Sequence, residues 1–581
     1  MRPFPDMNLE RFRRQLASVD ALPQLCVLGL VSGLLTGGLM VVFRFLLSLG
    51  AWLFMPHNDS EAFEALAPHW RALLPLVAAA LIALCFAFQS SQARRLGVGH
   101  VIERLTYHQG RLPLRNWLNQ WWVGVISVLG GLSAGREGPA IHLGAAAASG
   151  LGQRLRLPHN SLRVLVGCGT AAAISASFNT PIAGVIFAME VVIMEYTIAG
   201  FMPVILASTM SAVVAQLAYG TEPAFQVPIV KLGSLLNLPW IATSALLIGL
   251  LAGLFIRIAQ RGTLFAGWPL VARLMLPGVA VAVVAWWYPQ VQGIGYDSLA
   301  AALDGRLALD VLVALMLGKL LLTAFTFACG IPVGIIGPVL VVGASAGALC
   351  GMSGDWLWPS VASDPGFYAM LGMAAMMGAV LQAPLAALMA LLELTHNPNI
   401  ILPGMLAVVI AGLTARQICR CHGLYVTGTH HGLHPLQQPL MQALSRVAVP
   451  AVMERSVART QRMITREQAR RLLEDKPTWL VITRSSEEKT PLALKAADLA
   501  RALLDEEATD ETATLDLLEI PGQRLELAPI HLQATLSEAF DRLNDYGVDA
   551  LYVQHTTAPM IQKISGIITR DAIENYYRYK R

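Results

Sequence analysis

Charge is what this sequence has least of. Only 14% of its 581 residues are Asp, Glu, Lys or Arg, against 55% hydrophobic, and mean hydropathy is +0.55. Soluble domains carry about 25% charged residues. This composition excludes a single water-soluble globule and points to a polytopic membrane protein, longer than one ordinary domain. An excess of one sign is missing too. Net charge is +4 and spread along the chain, which argues against a nucleic-acid partner. The seven Cys are scattered, most of them in apolar segments, so no disulfide framework is expected. Cys419, Cys421, His422, His430, His431 and His434 cluster. However, C-x-C with loosely placed histidines does not match structural zinc spacing, and the cluster reads as a polar exit from the membrane, with no metal. A nucleophile–base pair is also lacking among the membrane segments, which speaks against an enzyme. Met1 to Asp20 is polar and shows no cleavable signal. Its Arg2, Arg11, Arg13 and Arg14 favour a cytoplasmic N-terminus.

What is present is a series of apolar segments. Leu22 to Met55, Leu73 to Phe88 and Trp117 to Leu132 come first; Leu162 to Ala176, Pro181 to Met194 and Phe201 to Tyr219 follow. The series resumes at Trp240 and continues to Ile418. Many segments are shorter than the ~20 residues a full span needs. Several are broken by Gly or Pro, which a membrane tolerates where backbone lines a protein cavity. Near Leu440 charged residues become frequent. There Trp479 to Thr483, Ala550 to Gln554 and Ile564 to Ile568 read as strands, while Arg466 to Glu474, Leu536 to Tyr546 and Arg570 to Tyr577 read as helices. The expected layout is an N-terminal segment over 1–21, an all-α membrane domain over 22–440 and a soluble α/β domain over 441–581.

The apolar region is organised around Gly135-Arg136-Glu137-Gly138-Pro139. Proline suits the first turn of a helix, so Glu137 is expected at or just before a helix N-terminus. Free N–H groups and the positive dipole end there attract anions. A carboxylate at that place is an anion tethered to its own site, and ionisable groups at membrane depth are usually functional. The structural alternative is a salt bridge with Arg136, but adjacent side chains tend to diverge.

The region also repeats itself. Gly135, Gly138, Pro139, Gly144 and Ala145 match Gly334, Gly337, Pro338, Gly343 and Ala344, each 199 residues later. Gly169, Ala171, Ala172, Pro181, Ala183 and Glu190 match Gly372, Ala374, Ala375, Pro384, Ala386 and Glu393, each 203 later. Interrupted segments paired in two halves point to a midplane substrate site. The second half offers Gly334-Ile335-Ile336-Gly337-Pro338, an apolar helix start. Two such N-termini converging on one point would form an anion site.

Gly135-Arg-Glu-Gly-Pro139, Phe178-Asn-Thr-Pro181, Gly334-Ile-Ile-Gly-Pro338 and Leu424-Tyr425, in this order, resemble the signature motifs of the CLC family of chloride channels and proton/chloride exchangers. The resemblance covers Leu22 to about Gly432. It implies a homodimer in the plasma (inner) membrane with one anion pathway per subunit and cytoplasmic termini. It assigns gating to Glu137 and contacts with chloride to the backbone N–H groups of Ile335 and Ile336 and the hydroxyl of Tyr425. Departures also exist. Gly97-Val98-Gly99-His100-Val101 stands where the family commonly has Gly-Ser-Gly-Ile-Pro, so Val98 replaces an anion-binding serine. At the position where proton-coupled relatives commonly carry an inner glutamate, this chain has Val191, which cannot carry a proton. Glu190 is adjacent, but one helical step turns it about 100° away, and its match to Glu393 suggests a structural role. The resulting expectation is a passive, voltage-gated chloride channel, with a proton/chloride antiporter as the alternative. A divalent-cation transporter would need more membrane carboxylates than Glu137, Glu190, Glu195 and Glu393.

The tail resembles a pair of CBS motifs, clearest in Gly547 to Val553 and Gly566-Ile-Ile-Thr569-Arg-Asp571. That ending implies an adenine nucleotide as ligand, with Thr569 and Asp571 on its ribose. A tail that stabilises a dimer or couples to the gate is the other reading. No further cofactor is implied.

Overall fold

Prolines set where many helices of this chain begin. Pro68, Pro139, Pro181, Pro338, Pro365 and Pro384 all stand in first turns, where the missing N–H forfeits no bond. The computed structural model describes residues 16, 21–221, 234–357, 363–425, 439–483, 491–505, 514–558 and 561–579. Contacts divide the chain into two compact units, one of Leu25–Arg154 with Leu162–Gly432 and the other built chiefly on Leu433–Arg581.

The first unit is helical. Among the described residues, eight helices are long and apolar enough to cross a membrane. Shorter apolar helices, including Pro181–Ile193, Pro365–Leu381 and Pro384–Thr395, lie between them. On helix Leu22–Phe54, Val27, Val31, Leu34 and Leu35 are exposed, a three-to-four spacing that presents one apolar stripe outward. Helix Pro365–Leu381 is the opposite case, buried at every residue from Gly366 to Leu381.

The internal repeat is visible in the packing. A Cβ on Gly144 would stand 2.4 Å from the Gly169 carbonyl oxygen, and one on Gly343 would stand 2.3 Å from that of Gly372. The same helix crossing therefore occurs twice, and only glycine permits the backbones to come so close. The capping pattern is duplicated as well. Glu393 accepts from the N–H groups of Ile182 (2.9 Å) and Ala183 (2.7 Å). Glu190 accepts from those of Leu385 (3.3 Å) and Ala386 (2.8 Å). Each repeat supplies the carboxylate that closes the open N-terminus of the other's helix, Pro181–Phe187 or Pro384–Thr395. This is the structural role expected of Glu190.

In this unit two helices escape the sequence reading. Gly97 to Val101 forms the start of helix Gly97–Tyr107. Gly97, at φ +77°, makes the bend before it, and Gln120 accepts its N–H at 2.8 Å. Helix Tyr296–Leu303 starts after Gly295, at φ +87°. Its eight residues are too few for a periodic signal.

The second unit is α/β, as expected. Strands β1 (Val457–Gln461), β2 (Met463–Thr465), β3 (Trp479–Thr483), β4 (Leu492–Lys495), β5 (Thr514–Asp516), β6 (Arg524–His531), β7 (Ala550–Ala558) and β8 (Ile561–Thr569) form two sheets. The larger runs β1-β3-β4-β6-β7-β8, and β2 pairs with β5. It is itself duplicated: β1 lies parallel to β3 and β3 antiparallel to β4, while β6 lies parallel to β7 and β7 antiparallel to β8. Thr465 and Thr535 cap the helices Arg466–Glu474 and Leu536–Tyr546 in the same way.

Candidate functional site

The two glycine-proline turns meet. Gly135 and Gly334 form an antiparallel bridge, with Gly135 N–H donating to Gly334 O at 2.6 Å and Gly334 N–H to Gly135 O at 3.1 Å. From this bridge run helices Glu137–Arg154 and Ile336–Leu357, with Pro139 and Pro338 in their first turns. A Cβ on Gly138 would come within 2.7 Å of Gly334 Cα, so the crossing needs glycine on both sides.

Glu137 is the first residue of its helix and fully buried. Its carboxylate lies at the start of the other repeat's helix. One oxygen accepts the Gly337 N–H at 3.3 Å, and the other accepts the hydroxyl of Tyr296. The convergence of two N-termini expected from the repeat is thus present, with a carboxylate occupying it. First-turn N–H groups have no carbonyl within their own helix, so Ile335 and Ile336, both buried, sit in a backbone environment suited to an anion.

Arg136 turns away from Glu137. Its guanidinium donates to Ser177 O at 3.2 Å and lies over the Tyr296 ring, 5.3 Å from the centroid. Tyr296 therefore stands between the charged neighbours, its face toward Arg136 and its hydroxyl on Glu137. Sequence reasoning missed this residue. The available signal was Gly293-Ile294-Gly295-Tyr296-Asp297, two glycines with positive φ ahead of a helix start.

Val98 is buried in the first turn of helix Gly97–Tyr107, in the same apolar core as Ile335, Ile336 and Val191. Val191 lies in a π-helical turn, Ala188–Ile193, and is also buried. Tyr425 packs against this core and sets its ring edge-on to Phe327 at 6.5 Å. Thr569 and Asp571 belong to the other unit, where the Thr569 hydroxyl accepts the Ala572 N–H at 3.2 Å and Asp571 is exposed. In the Cys/His cluster, Cys419 and Cys421 are buried and His422 is exposed. His430, His431 and His434 lie outside the described residues. Among the described residues no group of three or more metal-type side chains comes together.

One cavity reaches the site, and a second lies beside helix Gly97–Tyr107. The first, of about 270 Å³, is lined by Arg44, Glu61, Arg136, Asn179, Tyr296 and Asp297. The other, of about 450 Å³, is lined by Arg95, His100, Glu103, Arg104, His108 and Arg115. The first involves the loop before span Pro68–Ala87 and the second the loop after it.

Comparison with known proteins agrees with this architecture. The family described as "Voltage gated chloride channel" matches residues 77–416, more than half of the chain. The chain is 29% identical over 376 residues to a "Putative chloride channel protein ClcB-like" of Ralstonia nicotianae, covering 63% of this chain and 87% of the relative. It is 28% identical over 324 residues to the "H(+)/Cl(-) exchange transporter ClcA" of Vibrio campbellii, covering 51% and 68%. A solved structure described as a "eukaryotic CLC transporter" aligns with TM-score 0.59 over 94% of this chain and 97% of that one, at 17% identity, a likeness of fold.

Proposed function

This chain belongs to the CLC family of voltage gated chloride channels, and we propose that within it the protein works as a proton/chloride exchanger, with Glu137 as both plug and proton carrier. The observation that carries the reading is the Glu137 carboxylate, buried and bound by the N–H of Gly337 from the opposite repeat. A carboxylate and a chloride ion compete for the same N–H groups and dipole ends. A protonated carboxyl has no charge to offer them and yields the place to chloride. One group thereby ties proton binding to chloride passage. Relatives named as H(+)/Cl(-) exchange transporters support this reading over the channel.

In this scheme chloride passes the N–H groups of Ile335 and Ile336 and the hydroxyl of Tyr425. Val98 contributes an apolar wall where a hydroxyl is common in the family. Gly135, Arg136, Gly138, Pro139, Gly334, Gly337 and Pro338 hold the two N-termini in place. The protein is proposed to act as a homodimer in the plasma membrane with cytoplasmic termini. The loop after the second span, with Arg94, Arg95, Arg104 and Arg115 near it, then faces the cytoplasm. In the α/β unit, proposed to be a CBS pair, Thr569 and Asp571 are the proposed contacts for an adenine nucleotide.

Val191 is the specific observation for the second reading, a passive channel, because a buried valine cannot relay protons. Reversal potential in planar bilayers separates the two. Under a fixed chloride gradient with an added pH gradient, the exchanger is expected to move off the chloride Nernst potential. A potential that stays there would establish the channel and overturn exchange.

A further inference from the structure

Helix Gly97–Tyr107 packs on two elements of the site, the Glu137–Arg154 helix and the π-helical turn that holds Val191. At the first contact two histidines meet. His100 Nδ1 and His142 Nε2 are 2.9 Å apart and share a hydrogen bond, with the rings stacked at 5.2 Å. His142 is fully buried and His100 is 6% exposed. A buried histidine pair in an apolar core calls for explanation, since each ring must be desolvated. His142 Nδ1 makes the point sharper: it is buried and has no hydrogen-bond partner. A pair serving only to satisfy polar groups would not leave one nitrogen open.

The pair joins two places. His100 lines the arginine-bearing cavity of about 450 Å³. His142 lies five residues after Glu137 on the same helix, roughly 7.5 Å along its axis and about 140° around it. We propose that His100 and His142 relay protons between this cavity and Glu137, supplying the path for which Val191 has no group. The inference rests on the exchange reading above. A proton taken from the cavity onto His100 Nε2 makes an imidazolium. The Nδ1 proton of that ring then passes to His142 Nε2, and His142 releases its own Nδ1 proton toward Glu137. Each ring ends neutral with its protons exchanged between nitrogens, and reorientation resets the pair. Histidine suits this because both of its ring nitrogens can bind a proton.

The groups around the pair fit the role. Arg95, Glu103, Arg104, His108 and Arg115 line the cavity it faces, and Arg95 is paired with Glu103. On the Glu137 helix the nearest titratable group other than His142 is Glu137 itself. The π-helical turn presents Val191 and Val192 to the core, while Glu190 is bound to the N–H groups of Leu385 and Ala386.

The test uses the full chain reconstituted in liposomes, with chloride efflux and proton movement recorded together under one chloride gradient. His100→Asn and His142→Gln place amides near the bonded ring nitrogens, keeping polarity while abolishing proton relay. Proton flux is expected to fall about tenfold or more and further than chloride flux, so that the proton-to-chloride ratio drops. Added imidazole, which reaches the cavity, is expected to restore part of the proton flux in His100→Gly. If wild-type and variants move protons equally well, the relay is overturned while exchange stands. If both fluxes fall by the same factor and imidazole restores neither, the pair is structural and the proposal fails. A wild-type protein that moves no protons overturns the exchange reading itself, and the relay with it.

Discussion

The two repeats of the membrane unit share a scaffold and differ in the centre of their turns, Arg136-Glu137 against Ile335-Ile336. Both start a helix from a glycine-proline turn, and the turns are hydrogen-bonded to each other through Gly135 and Gly334. In the first repeat the residue before Gly-Pro is Glu137; in the second it is Ile336. One repeat therefore brings an anion of its own, and the other brings bare N–H groups that receive it. Two identical apolar starts would leave a site without a titratable group. Two glutamates would place like charges side by side, which destabilises both. The asymmetry is what lets a symmetric frame open and close.

Removing it is expected to have the largest effect. Glu137→Gln keeps the shape but not the titration. Proton movement should fall by roughly a hundredfold or more, and chloride flux should lose most of its dependence on pH. Ile336→Ala leaves the backbone donors in place and should change chloride flux far less. Parallel liposome assays of the two variants check this. If flux in Glu137→Gln vanishes, or keeps its pH dependence, the gate assignment is wrong.

The next effect concerns the glycines that bring the repeats together. A Cβ on Gly138 would meet backbone atoms, Gly334 Cα at 2.7 Å and Gly334 N at 3.0 Å. At the matching Gly337 its nearest neighbour is a side-chain atom, Ile294 Cγ2 at 2.6 Å. Side chains yield more easily than backbone. Gly138→Ala is expected to cost about 1–3 kcal/mol and Gly337→Ala distinctly less. Thermal unfolding in detergent measures both, and equal losses would contradict the argument.

How much of this could be read beforehand depends on how local each feature is. The helix starts were legible because proline and glycine act on their own neighbours. The repeat was legible because those residues recur in register at 199 and 203 residues. The tail's strands and helices followed from period and turn residues, and the structure places them at Trp479–Thr483, Arg466–Glu474 and Leu536–Tyr546. Tyr296 was not legible, since it reaches Glu137 across 159 residues. The contact of His100 with His142, 42 residues apart, exists only once two helices cross. Val191 shows the cost of reading one position alone. It favoured a channel, whereas several relatives are named as exchangers, and only the packing nearby reveals the His100–His142 pair.

The exchanged caps test the symmetric side of the comparison. Glu190 and Glu393 each bind two N–H groups of the other repeat's helix. Replacing either by Ala opens a helix N-terminus, at a cost of about 1–2 kcal/mol. The two variants should be destabilised alike, and Glu→Gln at either place should recover part of the loss. If Glu190→Gln abolished proton coupling at unchanged stability, Glu190 would join the proton path and the symmetry would be only apparent.

The smallest effect is expected in the α/β unit, where a carboxylate is held by a cation near water rather than by a helix end. Asp516 receives the Arg462 guanidinium at 2.8 Å and the Leu518 N–H at 2.9 Å. Arg462 first, and the N–H second, hold its carboxyl below the usual range. A group whose folded value is lowered contributes stability above its unfolded value of about 4. That contribution is lost as pH falls through the lower folded value. Arg462 is half exposed, so solvent screens the pair, and its worth is at most about 1 kcal/mol. Asp516→Asn should therefore speed hydrogen exchange in the β2–β5 pair modestly at pH 7. Measured against wild-type at the same pH, the difference should begin to shrink below about pH 4 and vanish once pH lies below the lowered folded value. A difference that persists there would mean that the pair acts through shape, since charge would already be gone.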